Sequence, residues 1–313
     1  MELLEAYKAM ADESRLRIVH ALRHGYLNVQ ELTSILGVSQ STISHHLKIL
    51  QGAGIARSFK EGTWTYYGLA RGEGLPASIT KSFLEISAAG SNGHRETFAR
   101  DDEAVTNILA RRREQTHRFF ESVAETWKEI RREMVQGDES YLEPLIAAVP
   151  PTASLLDVGC GSGLLLERLL PRPGATIGVD YSPAMLTEAR QNLGPRADQV
   201  DFRLGYLEHL PVADGSIEVT VASMVLHHIA QPMSALQEIF RVLKPGGRLV
   251  VADLVHHTNE YMRERFADLW LGFETKEFSA WLADAGFTGT SVVRYGERQE
   301  VFVLQTMKPE GTV

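Results

Sequence analysis

Gly159, Gly161 and Gly163 stand between one apolar run, Leu155 to Val158, and another, Leu164 to Leu170. A strand, a tight turn and a helix in that order bring bare backbone N–H groups and a helix N-terminus up to a ligand, with no side chains in the way. Asp157 precedes the turn and Cys160 lies inside it, in a G-x-G-x-G spacing that differs from the G-x-G-x-x-G of dinucleotide folds. About 20 residues further on, where such folds place an acid, a second apolar strand, ATIGVD, ends in Asp180. A carboxylate there accepts hydrogen bonds from both hydroxyls of a ribose. The chemistry these residues suit is capture of a nucleoside-like cofactor.

The elements that must position them follow in order. After Asp180, YSPAML offers Ser182 as a helix cap and Pro183 as the first helical residue, while Met185 and Leu186 present apolar surface to a base. Val200 to Pro211 reads as a third strand and its loop, and Ser216 to Ile229 as a fourth strand entering a helix near His227 and His228. ALQEIFRVLKPGGRLVVADLV then supplies an amphipathic helix, a turn from Arg241 to Gly247 and a fifth strand ending at Asp253. Four βα units in succession imply an α/β, doubly wound, Rossmann-like parallel sheet whose ligand lies beyond the carboxyl ends of the strands. Asp157, Asp180, Tyr206, Ser223 and Asp253 fall at or beside those ends.

These motifs resemble the class I S-adenosylmethionine (SAM) dependent methyltransferases. The resemblance implies SAM or S-adenosylhomocysteine (SAH) as cofactor, held by Asp157, Gly159, Cys160, Gly161, Gly163, Asp180, Tyr206, Leu207 and Ser223, with Tyr181 and Met185 flanking the adenine. Two departures stand out. Where the family carries Gly-Asp-Ala after the third strand, this chain has Gly205, Tyr206 and Leu207, so the acid that meets the adenine amino group is missing and the backbone N–H of Leu207 is left to serve the base. Glu218 replaces the Asp that opens the fourth strand. His227, His228 and Asp253 are, by family position, the candidates to act on a methyl acceptor.

The first ninety residues follow another pattern. EAYKAMADESRLRIVHAL has helical spacing, and NVQELTSILGVSQSTISHHLKILQGAGI gives two short helices joined at Gly37 and Val38, a helix-turn-helix. Ser39 is placed to cap the second helix, whose buried stripe is Ile43, Leu47 and Leu50. Gln40, Ser41, Thr42, Ser44, His45 and Lys48 are left toward solvent or a DNA groove, where short polar side chains suit base edges and phosphates. IARSFKEGTWTYYGL reads as a β-hairpin with a Glu61-Gly62 turn, carrying Arg57 and Lys60 where a wing meets phosphate. Glu5 to Leu69 resembles the α+β winged-helix domain of the ArsR/SmtB regulators. The resemblance implies a homodimer on double-stranded DNA with an inverted-repeat operator.

The expected organisation is therefore a DNA-binding domain over 1–90, a linker over 91–100 that includes the break AAGSNGHRE, and a methyltransferase-type domain over 101–313 led in by helical residues 101–150. Within that lead-in, Val105, Ile108, Leu109, Phe119, Phe120, Val123, Trp127, Ile130 and Met134 recur at intervals of three and four. FFESVAETW resembles the lid helix of ubiquinone-biosynthesis-type methyltransferases, and core packing is the other reading of the same aromatics. Its arginine runs read as a solvated face, with a DNA-facing role as the alternative.

Residues 1 to 100 hold 11 Lys/Arg against 9 Asp/Glu and the remainder 21 against 31, so the acidity lies in the C-terminal part and non-specific DNA binding is expected to be weak. The single cysteine, Cys160, allows neither a structural disulfide nor a thiolate metal site, and Asn28, Val29 and Gln30 stand where metal-sensing relatives carry a Cys pair. The adjacent pairs His45 and His46, His227 and His228, and His256 and His257 point about 100° apart on a helix and are read as ordinary surface or groove histidines. No metal is expected. MELLEAYKAM lacks a signal-peptide pattern and no apolar run reaches the roughly 20 residues a bilayer needs, so a cytoplasmic location and no membrane partner are expected. Two functions compete: a transcriptional regulator whose operator binding responds to SAM or SAH, and a methyltransferase acting on a small molecule under control of the winged helix. The regulator is favoured because the winged helix is intact while the adenine acid is missing.

Overall fold

The computed structural model describes residues 2–61, 64–70, 74–88, 95–134 and 138–311. The chain forms two compact units, Met1–Arg112 and Arg113–Val313. In the first, α1 (Glu2–Met10), α2 (Glu13–Leu22), α3 (Val29–Leu36) and α4 (Gln40–Gly52) precede α5 (Leu75–Ala88) and the start of α6 (Arg95–Val123). Strands β1 (Leu27–Asn28), β2 (Ala56–Glu61) and β3 (Trp64–Leu69) make an antiparallel sheet in the order β1-β3-β2.

Local chemistry sets these boundaries. Asp12 caps α2 by accepting from Arg15 N at 3.1 Å. Asn28 and Glu31 form a reciprocal capping box at the start of α3. Gly37 ends that helix in the left-handed region, at φ 72°, and frees the chain to turn into α4. Ile43, Leu47 and Leu50 of α4 are fully buried, as their spacing predicts. Glu61 pairs with Trp64 across the hairpin, and the rest of the expected Glu61-Gly62 turn lies outside the described residues.

The expected linker is displaced. Helix α6 begins at Arg95, and its first half packs into the first unit: Phe98 stacks on His20 at 4.3 Å, Asp101 accepts from Arg17 at 2.8 and 2.7 Å, and Val105 is fully buried. These contacts draw residues 95–112 into the first unit and move the division to Arg112/Arg113. The long helical pattern toward Met134 is broken by a 3-10 turn over Ala124–Thr126, after which α7 (Trp127–Met134) begins.

The second unit continues with α8 (Leu142–Ala147) and alternates β4 (Leu155–Val158), α9 (Leu164–Leu169), β5 (Thr176–Asp180), α10 (Pro183–Leu193), β6 (Val200–Leu204), β7 (Ile217–Ser223), α11 (Pro232–Val242) and β8 (Leu243–Leu254). α12 (Tyr261–Phe266), α13 (Thr275–Asp284), β9 (Thr288–Tyr295) and β10 (Val301–Met307) complete it. The seven strands lie in the order β6-β5-β4-β7-β8-β10-β9. The first five are parallel, which confirms the Rossmann-like reading. The C-terminal pair was not expected: β10 inserts antiparallel between β8 and β9, and its Val301 to Leu304 are all buried. Most of the expected Arg241–Gly247 turn belongs to β8, whose register against β7 shifts between Ile217 and Val219. Parallel strands direct their carboxyl ends to one edge, so Asp157, Asp180, Ser223 and Asp253 share it.

The α3 cap yields a stability prediction. Asn28→Ala removes the capping box and should destabilise the first unit by about 1 kcal/mol, while Asn28→Ser restores most of it. Denaturant unfolding of the full chain, followed by a probe in that unit, reads the difference.

Candidate cofactor site and DNA-facing helix

Asp180 closes β5 and is the hinge of the site. Its Oδ2 accepts from Gly161 N and its Oδ1 from Ser182 N, both at 2.9 Å, tying the glycine turn to the start of α10. Ser182 caps that helix through Met185 N at 3.1 Å and donates its hydroxyl to Glu121 of α6 at 2.6 Å. Burial pushes the Asp180 carboxyl up to about 6, although the N–H donors of Ser182 and Gly161 pull against it. Burial, and then the Asp180 charge, push Asp157 up to about 8, so Asp157 holds its proton at neutral pH.

A pocket opens at this edge. Asp157, Gly159, Cys160, Gly161, Asp180, Tyr181, Met185 and Ser223 line it, together with His228. Sequence reasoning on the cofactor set did not name Ser162, Leu164, Leu165, Arg131, Met224 or Val225, which also line it. Phe120 and Trp127 belong to the hydrophobic core of the unit, as the core reading of that segment expects, and they also line the pocket. Their legible signal was the aromatic spacing.

The three glycines divide their work. A Cβ at Gly159 would sit 2.2 Å from Val225 Cγ2, and one at Gly163 3.2 Å from the Ala189 Cβ, so both serve close packing. A Cβ at Gly161 would meet only Trp127 Nε1 at 3.8 Å, which leaves its backbone fronting open space. Gly159 lines the pocket as well, whereas Gly163, Tyr206 and Leu207 do not. Leu207 is buried, while Tyr206 is half exposed and stacks on Tyr181 at 6.0 Å.

Among the described residues, Asp157 Oδ2, Ser162 Oγ, Tyr181 Oη and His228 Nε2 are buried pocket atoms without a hydrogen-bond partner. Such atoms are costly unless a ligand satisfies them. Together with the open backbone at Gly161, they fit a polar, ribose-bearing cofactor.

His227 and His228 do not behave as surface histidines. They sit on a 3-10 turn over Leu226–His228 and are fully or nearly fully buried, with ring centroids 4.0 Å apart. His227 Nδ1 meets Asp253 Oδ1 at 2.5 Å, and Asp253 also accepts from Leu226 N and Leu254 N at 3.0 and 2.7 Å. Burial lowers His227, but Asp253 and Asp268 outweigh it and the net shift is upward. Burial, reinforced by His227, holds His228 well below the usual histidine range, so it is neutral. Neither His227 nor Asp253 lines the pocket; His228 alone of the three catalytic candidates does.

In the first unit, Ser39 caps α4 by accepting from Thr42 N at 3.2 Å. Gln40, Ser41, Ser44, His45 and Lys48 are exposed, and Thr42 is half-buried. Lys60 is exposed on the hairpin. Arg57, expected at phosphate, instead donates to the Tyr26 hydroxyl, with its guanidinium 5.4 Å from the centre of that ring. The aromatic face captures the cation and holds it against the hairpin.

A family model described as a bacterial regulatory protein of the arsR family matches residues 12–58, and one described as a methyltransferase domain matches residues 156–251. The chain joins an arsR-family helix-turn-helix to a methyltransferase domain. The methyltransferase domain indicates SAM as the cofactor. Over 113 residues the chain is 38% identical to an arsenite methyltransferase of Halobacterium salinarum, an alignment covering 35% of this chain and 29% of that protein. It is 34% identical over 155 residues to the ubiquinone/menaquinone biosynthesis C-methyltransferase UbiE of Roseobacter denitrificans, covering 47% and 62%. The chain thus spans less than two thirds of either relative. The fold is shared with the protein solved in complex with the Haloferax volcanii Trm112 methyltransferase activator, at TM-score 0.52 and 20% identity over 61% of this chain and 98% of that one.

The arrangement around Asp180 sets two expectations. Asp180→Ala should weaken SAM binding more than tenfold, since a charge-assisted bond to a buried carboxylate is worth roughly 1.5–3 kcal/mol. Because the ionised carboxylate is the acceptor and its pKa lies at about 6, affinity should hold above that pH and fall as pH drops through it, approaching about tenfold per unit. Calorimetric titration between pH 5 and 8 on wild type and variant tests both. Gly161→Val, which places a branched side chain in the open space, should abolish binding in the same assay.

Proposed function

We propose that the chain is a homodimeric DNA-binding transcriptional regulator whose methyltransferase-fold domain binds SAM or SAH and modulates operator occupancy. The observation that carries this reading is the capped helix α4, which buries Ile43, Leu47 and Leu50 and offers Gln40, Ser41, Ser44, His45 and Lys48 to a groove. Exposed Leu3, Leu4 and Tyr7 on α1 supply apolar surface for the pairing of two copies. No helix among the described residues is long and apolar enough to cross a membrane.

A second reading, a working methyltransferase on a small-molecule acceptor, is favoured by one specific feature. His228 lines the cofactor pocket with an unpartnered Nε2, backed by His227 and its partner Asp253. Burying that many ionisable groups lowers stability, which is the usual mark of a reaction site. Methyl transfer asks chiefly for in-line positioning, because the sulfonium is already activated. Within this chain, Asp180 would hold the ribose, Gly161 would admit the cofactor backbone, Phe120 and Trp127 would exclude water, and neutral His228 would accept a proton at Nε2. Arsenite is not the acceptor we propose: a thiophilic centre calls for thiolates, and the one cysteine, Cys160, is buried with its pKa raised by that burial.

In footprinting, the dimer should protect an inverted repeat with half-sites about one helical turn apart. Lys60→Ala should weaken binding alike for all sequences and lower the salt slope by roughly one. Arg57→Ala, whose guanidinium is spent on Tyr26, should leave that slope nearly unchanged. SAH should release the operator, with a coupling of about 1–3 kcal/mol that reappears as weaker SAH binding to the DNA complex. Operator-binding curves that coincide with no ligand, with SAM and with SAH would refute the sensor reading and leave the enzyme.

A further inference from the structure

His227, His228 and Asp268 bring one ligand atom each to within 4.8 Å of one another, all three residues being buried. Asp268 Oδ1 lies 3.8 Å from His227 Nε2 and 3.7 Å from His228 Nδ1. These separations are too long for hydrogen bonds. Both carboxylate oxygens of Asp268 and the Nε2 of His227 have no hydrogen-bond partner among the described residues, although Asp268 is only 3% exposed. A tetrahedral zinc with bonds of 2.0–2.1 Å sets its ligand atoms about 3.4 Å apart. The two distances from Asp268 are within a few tenths of an ångström of that spacing, and all three ligand atoms lie within 4.8 Å of one another.

Three further observations bear on this cluster. Asp253 receives the Nδ1–H of His227, which fixes the tautomer and leaves the Nε2 lone pair on the Asp268 side; a carboxylate behind a histidine is the arrangement that orients metal-bound imidazoles. The two buried carboxylates Asp253 and Asp268 both face His227, and either a protonated His227 or a divalent cation would balance them. Of the cations acting on Asp268, His227 comes first and Arg263, which also donates to Glu260 and to the Leu269 carbonyl, second. Finally, Met224 (φ 54°) and Ala267 (φ 58°) hold left-handed backbone on the two segments that deliver the cluster. Non-glycine residues keep that conformation only where the surrounding structure over-determines it.

We propose that His227, His228 and Asp268 form a binding site for one divalent transition-metal ion of zinc-like softness, with Asp253 as a positioning residue. Two imidazoles and a carboxylate leave an open coordination position. Of the three ligands, His228 also lines the cofactor pocket, so the ion would lie behind that part of the pocket wall. This site was not foreseen from the sequence, because adjacent histidines were read on a regular helix and Asp268 lies forty residues further along the chain. It stands on its own geometry and does not depend on SAM binding or DNA binding.

The test uses the full chain, stripped with a chelator and titrated with Co²⁺ alone. One equivalent per chain should bind with the intense visible bands of a four- or five-coordinate ion, and Zn²⁺ should displace it. Asp268→Asn, nearly isosteric, should weaken binding by at least tenfold. Asp253→Asn, which touches no metal, should weaken it 10- to 100-fold by releasing His227. Should either variant fail to fold, the wild-type thermal midpoint must still rise with Zn²⁺ and ignore Mg²⁺. Absence of uptake, equal uptake by Asp268→Asn, or an unmoved midpoint would overturn the site and leave a protonated His227 bridging two carboxylates. SAM titration of the same preparations separates loss of the metal from loss of the cofactor pocket.

Discussion

Two hydrogen bonds from the backbone to one buried carboxylate organise the second unit. Through Asp180, the glycine turn after β4 and the cap of α10 are locked to the end of β5, and Glu121 of α6 is fastened to that cap through Ser182. Without these bonds, the N–H groups of Gly161 and Ser182 and the charge of Asp180 would each be buried unsatisfied, at a cost that a marginally stable domain feels at once. The cross-link fixes the backbone on which the pocket is built. Asp157 beside it keeps its proton, chiefly because it is buried and further because it feels the Asp180 charge.

A parallel sheet makes this concentration of charge unavoidable. Its strands all end at one edge, so polar residues placed there for binding crowd one another. At β4 and β5 the crowding is relieved by backbone donors and a retained proton. At β7 and β8 it is relieved by pairing Asp253 with His227. Among the described residues, Asp268, delivered from outside the sheet, has both carboxylate oxygens without a hydrogen-bond partner, whereas Asp180 and Asp253 accept from backbone N–H groups.

Much of this was legible in the residues. The alternation of apolar strands and turns gave the parallel sheet, and Ser39 with Ile43, Leu47 and Leu50 gave helix α4 and its exposed face. What escaped was long-range. Arg57 read as a free wing cation because nothing local says that Tyr26, thirty-one residues earlier, will receive it. Tyr206 and Leu207 were placed at the cofactor by family position, yet Leu207 turns inward and Tyr206 stacks outside the pocket. The linker was inferred from composition, which marks where a helix can start; that the helix would begin at Arg95 was decided by Phe98 and Asp101 finding His20 and Arg17. Strand β10 had no periodic signature, since a strand buried on both faces does not alternate, and β9 beside it is largely exposed.

The central claim is that the cofactor enters where the backbone of Gly161 fronts open space beside Asp180. Amide hydrogen exchange of the full chain with and without SAH locates it directly. The account predicts added protection in residues 159–165 and 180–186. Protection confined to other segments, or none at saturating SAH, would contradict it.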